Sequence, residues 1–276
     1  MTISLARATR ALGLALAIFG LVATGLLLTV SRPAGAGTSV PTLDHFLCYQ
    51  ARETGIKAPP NVLLKNEIQP NAFAPVFGAA SAHCNPANKL LRSGRLFTAK
   101  NPLAHLLCFT IKFQAAPVAV TLANQFGKAV MTTGSPTHFC LPSWKSNIAP
   151  PHMPTPAPPG LDHFTCYPLK AVASSYGFRP AGPKAEDEFS APKYTTLKLG
   201  TANQLCVPTT KIVAGAVFAP QGPNDLSLVC FPTQPTPIWK LVFDQNQFGE
   251  ARVFPLVDNE EFCVPSTAVV HPAGAS

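Results

Sequence analysis

The chain has 276 residues, a net charge of +8 at pH 7, 12% charged and 47% hydrophobic residues, 30 prolines and 18 glycines. That density of turn formers excludes an architecture of long helices and suits short strands joined by turns. All eight cysteines lie beyond residue 36 and the closest two are 24 residues apart, which excludes a zinc site built from close Cys-x-x-Cys pairs.

Residues 1–36 carry Arg7, Arg10 and Arg32, no acid, and an apolar run from Ala11 to Val30 that leads to Ala34-Gly35-Ala36. A cationic start, an apolar stretch and small residues before Gly37 form a secretory signal with cleavage expected at that point. The run of about 20 residues is also long enough to cross a bilayer as a helix, so residues 11–30 would anchor an uncleaved chain. Both readings place the remainder outside the cytoplasm, either secreted or held at the membrane by this segment. There Cys48, Cys84, Cys108, Cys140, Cys166, Cys206, Cys230 and Cys263 form an even set, which implies four disulfides.

The remaining chain is a repeat of a repeat. Leu43-Asp44-His45-Phe46-Leu47-Cys48-Tyr49 returns 118 residues later as Leu161-Asp162-His163-Phe164-Thr165-Cys166-Tyr167, and the other three cysteines return at offsets of 122, 122 and 123. Residues 43–148 and 161–268 are therefore two copies of one module, with 149–160 between them and 269–276 as a tail.

Each module is itself double. A front motif ends in Cys48-Tyr49, Cys108-Phe109, Cys166-Tyr167 and Cys230-Phe231, preceded by His45, His105, His163 and, in the last copy, Ser227. A back motif Cys-x-Pro-x-x-Lys gives Lys89, Lys145 and Lys211, with Ala268 in the fourth copy. Between them stand Asn66-Glu67-Ile68, Asn124-Gln125-Phe126, Asp187-Glu188-Phe189 and Asn246-Gln247-Phe248.

Strands are expected at Pro117–Leu122, Tyr194–Leu199, Ile238–Phe243 and Ala251–Leu256, where apolar and β-branched residues alternate or cluster between Gly, Pro and Asn. The fold class is all-β: two tandem antiparallel β-sandwich or small-barrel modules, each a pseudo-two-fold pair of half-repeats. Residues 148–160 hold six prolines in thirteen positions, and such a stretch acts as a semi-rigid polyproline II spacer that holds two bodies apart unless it packs on one of them.

On these motifs the chain resembles a family of exported bacterial proteins built from Leu-Asp-His-Phe-x-Cys-Tyr modules, a domain of unknown function. The resemblance covers nearly all of residues 43–268 and departs only at Ser227 and Ala268, which mark a degraded or capping last repeat. It implies export and repetition, and brings no activity, cofactor or catalytic residue with it.

The disulfide pairing has three possible schemes per module. The scheme within each unit joins Cys48 to Cys84, Cys108 to Cys140, Cys166 to Cys206 and Cys230 to Cys263, which keeps each unit's first and last strands adjacent. Loops of 32 to 40 residues closed in this way contribute roughly 3 to 4 kcal/mol each in the chain-entropy model.

Few residues invite a reaction. Neighbours on a strand point to opposite faces, so Asp44 and His45 do not orient one another, and each recurring His is expected to start a strand and bond backbone. Lys89 with Asn66 and Glu67 has the residue types of a lysine isopeptide cross-link, whereas the bland reading gives the Asx residues to turns and the lysines to solvated strand ends. Serine-hydrolase and zinc-protease motifs are absent from the sequence, and residues 43–148 hold three acids only, Asp44, Glu53 and Glu67. No catalytic residue, metal or cofactor is assigned. A sugar-binding platform would have to use Trp144 or Trp239, since most of the 18 phenylalanines belong in a core.

Charge supplies the one asymmetry. Residues 43–148 hold ten Lys plus Arg against three acids, and 161–268 hold eight against ten. Lys89, Arg92, Arg95 and Lys100 fall within twelve residues and form a candidate surface for an anionic envelope component, lipid head groups or an acidic protein. Nucleic acid is excluded by the compartment. The expected function is an exported, non-enzymatic structural or interaction protein; the alternatives are an extracellular hydrolase of unrecognised type and a carbohydrate-binding module.

Overall fold

The computed structural model describes residues 43–54, 57–172, 177–221 and 226–271, so the segment read as an export signal lies outside the described residues. It is all-β. The strands are β1 His45–Thr54, β2 Leu63–Lys65, β3 Val76–Leu90, β4 Leu96–Phe97, β5 His105–Lys112, β6 Ala119–Asn124, β7 Gly127–Thr133 and β8 His138–Ser146. They continue as β9 Phe164–Ala171, β10 Lys184–Glu186, β11 Thr195–Thr196, β12 Gln204–Pro208, β13 Thr210–Val213, β14 Ala216–Phe218, β15 Leu226–Pro232, β16 Val242–Asn246 and β17 Gly249–His271. Of the expected strands, Pro117–Leu122 becomes β6 and Ala251–Leu256 lies inside β17. Tyr194–Leu199 shrinks to β11, and Ile238–Phe243 overlaps only the start of β16. The residues read as a tail are partly strand, because β17 runs on to His271 and pairs with β6.

Antiparallel pairing closes a ring in the order β1, β3, β5, β8, β9, β12, β15, β17 and back to β1. Every one of these eight strands carries one cysteine. Strand alternation turns Phe46 and Cys48 to one face and Leu47 and Tyr49 to the other, and it does the same for Leu106 and Cys108 against Leu107 and Phe109. The cysteines, with Phe46, Leu106, Phe164 and Leu228, form one buried cluster inside the ring. The interior of an eight-stranded barrel is about wide enough for side chains, and here all eight cysteines are among those that point into it.

The disulfides are Cys48–Cys84, Cys108–Cys140, Cys166–Cys206 and Cys230–Cys263, each within one unit and each between neighbouring strands at paired positions. No free cysteine remains, which suits an oxidising, extracytoplasmic setting.

The outward faces are covered by the segments between the paired cysteines. The β6–β7 and β16–β17 hairpins turn through Gln125-Phe126 and Gln247-Phe248 and close on Gly127 and Gly249. Both glycines sit near φ +127, at 126° and 128°, where a Cβ is not tolerated.

The expected separation of two modules is corrected by the pairing. Strands of residues 43–148 and 161–268 join each other at β1–β17, β8–β9, β3–β10, β2–β13, β8–β16, β6–β17 and β7–β9. The proline-rich segment is not a spacer either. Trp144 Nε1 donates to Thr155 O at 2.9 Å, Met153 N to Gln245 Oε1 at 2.8 Å, and Asn101 Nδ2 to Pro159 O at 3.1 Å, so it lies against both halves.

Candidate functional site

The middle signature forms the same Asx turn four times. Asn66 Oδ1 accepts from Ile68 N and Gln69 N, Asn124 Oδ1 from Phe126 N, Asp187 Oδ1 from Phe189 N and Ser190 N, and Asn246 Oδ1 from Phe248 N, all at 2.8–3.1 Å. The other end of each Asx side chain reaches the opposite half of the sequence. Asn66 Nδ2 donates to Tyr167 Oη, Asn124 Nδ2 to Ser266 Oγ and Asn246 Nδ2 to Ser143 Oγ, while Asp187 Oδ2 accepts from Tyr49 Oη at 2.7 Å and from Asn85 Nδ2 at 2.8 Å.

In three of the four turns the second residue meets a back-motif lysine of the preceding unit. Lys89 Nζ contacts Gln125 Oε1, Lys211 Nζ contacts Gln247 Oε1, and Lys145 Nζ pairs with Glu188. These lysines are not solvated strand ends: Lys89 is 0% and Lys211 1% exposed. Aromatic rings wall them in, with Nζ 4.1 Å from the centroid of Phe97 for Lys89, 4.3 Å from Phe189 for Lys145 and 4.5 Å from Phe218 for Lys211. Burial pulls the Lys89 amine down to about 7, and the Lys145 and Lys211 amines to about 8.

The front-motif histidines complete these clusters. His45 Nε2 lies 2.6 Å from Lys89 Nζ and 3.4 Å from Gln125 Oε1, and His163 Nε2 lies 2.9 Å from Gln247 Oε1. The histidines thus start strands or just precede one, but bond side chains rather than backbone. Burial, with the adjacent lysine adding to it, lowers His45 to about 3 and His163 to about 4. Asp44 points elsewhere and accepts from Lys100 N and Asn101 N at 2.8 Å. The sequence pairing of Lys89 with Asn66 and Glu67 is corrected: Asn66 is engaged with Tyr167 and Thr209, and the partner of Lys89 is Gln125.

Around Lys145 the polar cluster is larger. His83 Nδ1 pairs with Asp244 Oδ2 at 3.1 Å, and both His83 Nε2 and His105 Nδ1 contact Asn85 Oδ1, at 2.9 and 3.0 Å. His83, Asn85 and Asp244 are all 0% exposed, so a substrate could not reach them without opening the fold.

Inside the barrel a cavity of about 230 Å³ is lined by seven of the eight cysteines, all but Cys166, and by Gln50, His138, Gln204 and Glu261. Ala82, His138, Gln204 and Glu261 each stand two residues before a back-motif cysteine, a position that strand alternation turns inward. Sequence reasoning passed over them, although that spacing was the signal. Burial raises the Glu261 carboxyl against a 2.8 Å hydrogen bond from Asn203, and burial lowers His138. Cys230, Glu261 and Cys263 group as metal-ligand types, but both sulfurs are spent on the same disulfide.

Of the four basic residues singled out, Lys89 is buried and leaves the set, because its amine is taken into the cluster under Phe97. Arg92, Arg95 and Lys100 are exposed on the β3–β5 connection, with Arg95 stacked on Phe97 at 4.6 Å. Trp144 is bound to the proline-rich segment, whereas Trp239 is 79% exposed. Searches against protein-family models, curated proteins and solved structures find no match for this chain.

Proposed function

We propose that the chain is an exported structural or interaction protein, built from a twice-duplicated unit, that meets an anionic partner of the envelope or extracellular space through Arg92, Arg95 and Lys100. What carries this reading is where the repeated polar residues are used. The recurring His, Lys and Asx-Gln/Glu positions are turned into the fold and tie its segments together, while these three cations project into solvent from one connection.

The test is retention of the whole mature protein on anionic lipid or polymer at low and high salt, with Arg92, Arg95 and Lys100 changed together to Gln. Retention of the parent should collapse as the Debye length shrinks from about 10 Å at 0.1 M to about 3 Å at 1 M. Unchanged retention of the triple variant would reduce the segment to a solvated loop. The hydrolase alternative would have to work at the barrel cavity beside His138 and Glu261, and a turnover assay of His138→Ala separates it.

A further inference from the structure

We propose that Lys89 is joined to Gln125, and Lys211 to Gln247, by intramolecular isopeptide bonds. The two sites are copies of one arrangement. In each, a back-motif lysine amine is buried against the side-chain oxygen of a glutamine 36 residues further on, beside a front-motif histidine and an aromatic ring.

Electrostatics comes first. Among the described residues no acid pairs with Lys89 or Lys211, and an isolated buried ammonium costs several kcal/mol. Burial lowers Lys89 to about 7 and Lys211 to about 8, so a fraction of each amine is neutral near neutral pH and that fraction grows as pH rises. A neutral amine has a free lone pair and is a nucleophile. The fold holds it against a carboxamide fixed by an Asx turn, and such placement replaces an encounter in solution with high effective concentration.

The electrophile is prepared by the histidine. Because burial keeps His163 neutral, its Nε2–H can donate to Gln247 Oε1 at 2.9 Å, which polarises the carbonyl and stabilises the oxyanion that forms on attack; His45 Nε2 occupies the same place in the other copy, 2.6 Å from the Lys89 amine and 3.4 Å from Gln125 Oε1. Lys Nζ bonds to Gln Cδ. A proton passes from the former amine to the carboxamide nitrogen, the Cδ–Nε2 bond breaks, and ammonia leaves. One amide replaces another, so no oxidant or reductant is needed. The product is uncharged, which removes the unpaired amine from the interior.

The other two units differ at the residues that matter. Lys145 faces a carboxylate, Glu188, and is held as an ion pair. The fourth unit has Ala268 at the lysine position and cannot form the bond.

Mass spectrometry of the wild-type mature protein after disulfide reduction decides the matter without a variant. The expected result is loss of two ammonia, about 34 Da in all, with branched peptides joining Lys89 to Gln125 and Lys211 to Gln247. The branched peptides fix the assignment independently of N-terminal processing. Full sequence mass, or branched peptides between other residues, overturns the proposal. His45→Phe should abolish the cross-link at Lys89 and leave that at Lys211, and a cross-link that persists at Lys89 overturns the role given to the imidazole.

Discussion

Tyr49 donates its hydroxyl to Asp187 Oδ2 at 2.7 Å, and Tyr167, the same residue of the second sequence copy, shares hydrogen bonds with Asn66. Each half thus caps the other's front motif with its own middle turn. Both tyrosine side chains are buried, and burial pushes their hydroxyls above the ordinary tyrosine range. Tyr49→Phe should destabilise the protein by about 1 to 3 kcal/mol, since Asp187 loses a charge-assisted bond away from water. Chemical unfolding monitored by circular dichroism measures this, and Tyr167→Phe, which faces a neutral Asn66, should cost less.

The same exchange predicts that residues 43–148 or 161–268 produced alone do not fold. In isolation the first half loses the strand pairing of β1 to β17 and of β8 to β9 and β16, and leaves Tyr49 and Asn85 without Asp187. Dispersed amide resonances in the NMR spectrum of either half would contradict this; mixing the two halves should restore them.

Two glycines report on the same close packing. A Cβ at Gly134 would lie 2.8 Å from Pro168 Cγ, and one at Gly200 would lie 2.8 Å from Pro232 Cγ, while each glycine N–H donates to that proline's carbonyl at 2.8 Å. A proline ring cannot swing aside. Gly134→Ala and Gly200→Ala should each cost about 1 to 3 kcal/mol in unfolding free energy.

Stability should rise with pH through the acidic range. Unfolded histidine takes up its proton near 6.5, whereas folded His45 and His163 do so only near 3 and 4, with burial as the main cause. Between those values the unfolded state binds more protons, so stability present above about 6.5 is lost as pH falls, at up to about 1.4 kcal/mol per pH unit for each histidine. Urea midpoints between pH 7 and pH 4 test it. The double variant His45→Phe/His163→Phe should flatten the slope, since phenylalanine can keep the ring stacking on Phe262 and Phe139.

The all-β class and the Asx turns were legible in the sequence, because they rest on local chemistry: alternation of apolar residues, and Asn or Asp bonding to backbone two or three residues on. The sequence also favoured disulfides within units, which need only a unit's first and last strands to be neighbours. Tertiary structure decided the rest. Lys89 reads as a surface cation beside Arg92, Arg95 and Lys100, yet it is sealed by Phe97 and bound at its tip by Gln125, a residue 36 positions away on another hairpin. The exchange of middle turns between halves, and the closing of eight cysteine-bearing strands into one barrel, likewise depend on contacts such as Tyr49 with Asp187, 138 residues apart. Local pattern specifies which face of a strand is buried, but which distant segment covers that face is settled only when all eight strands close and every outward apolar face finds a partner.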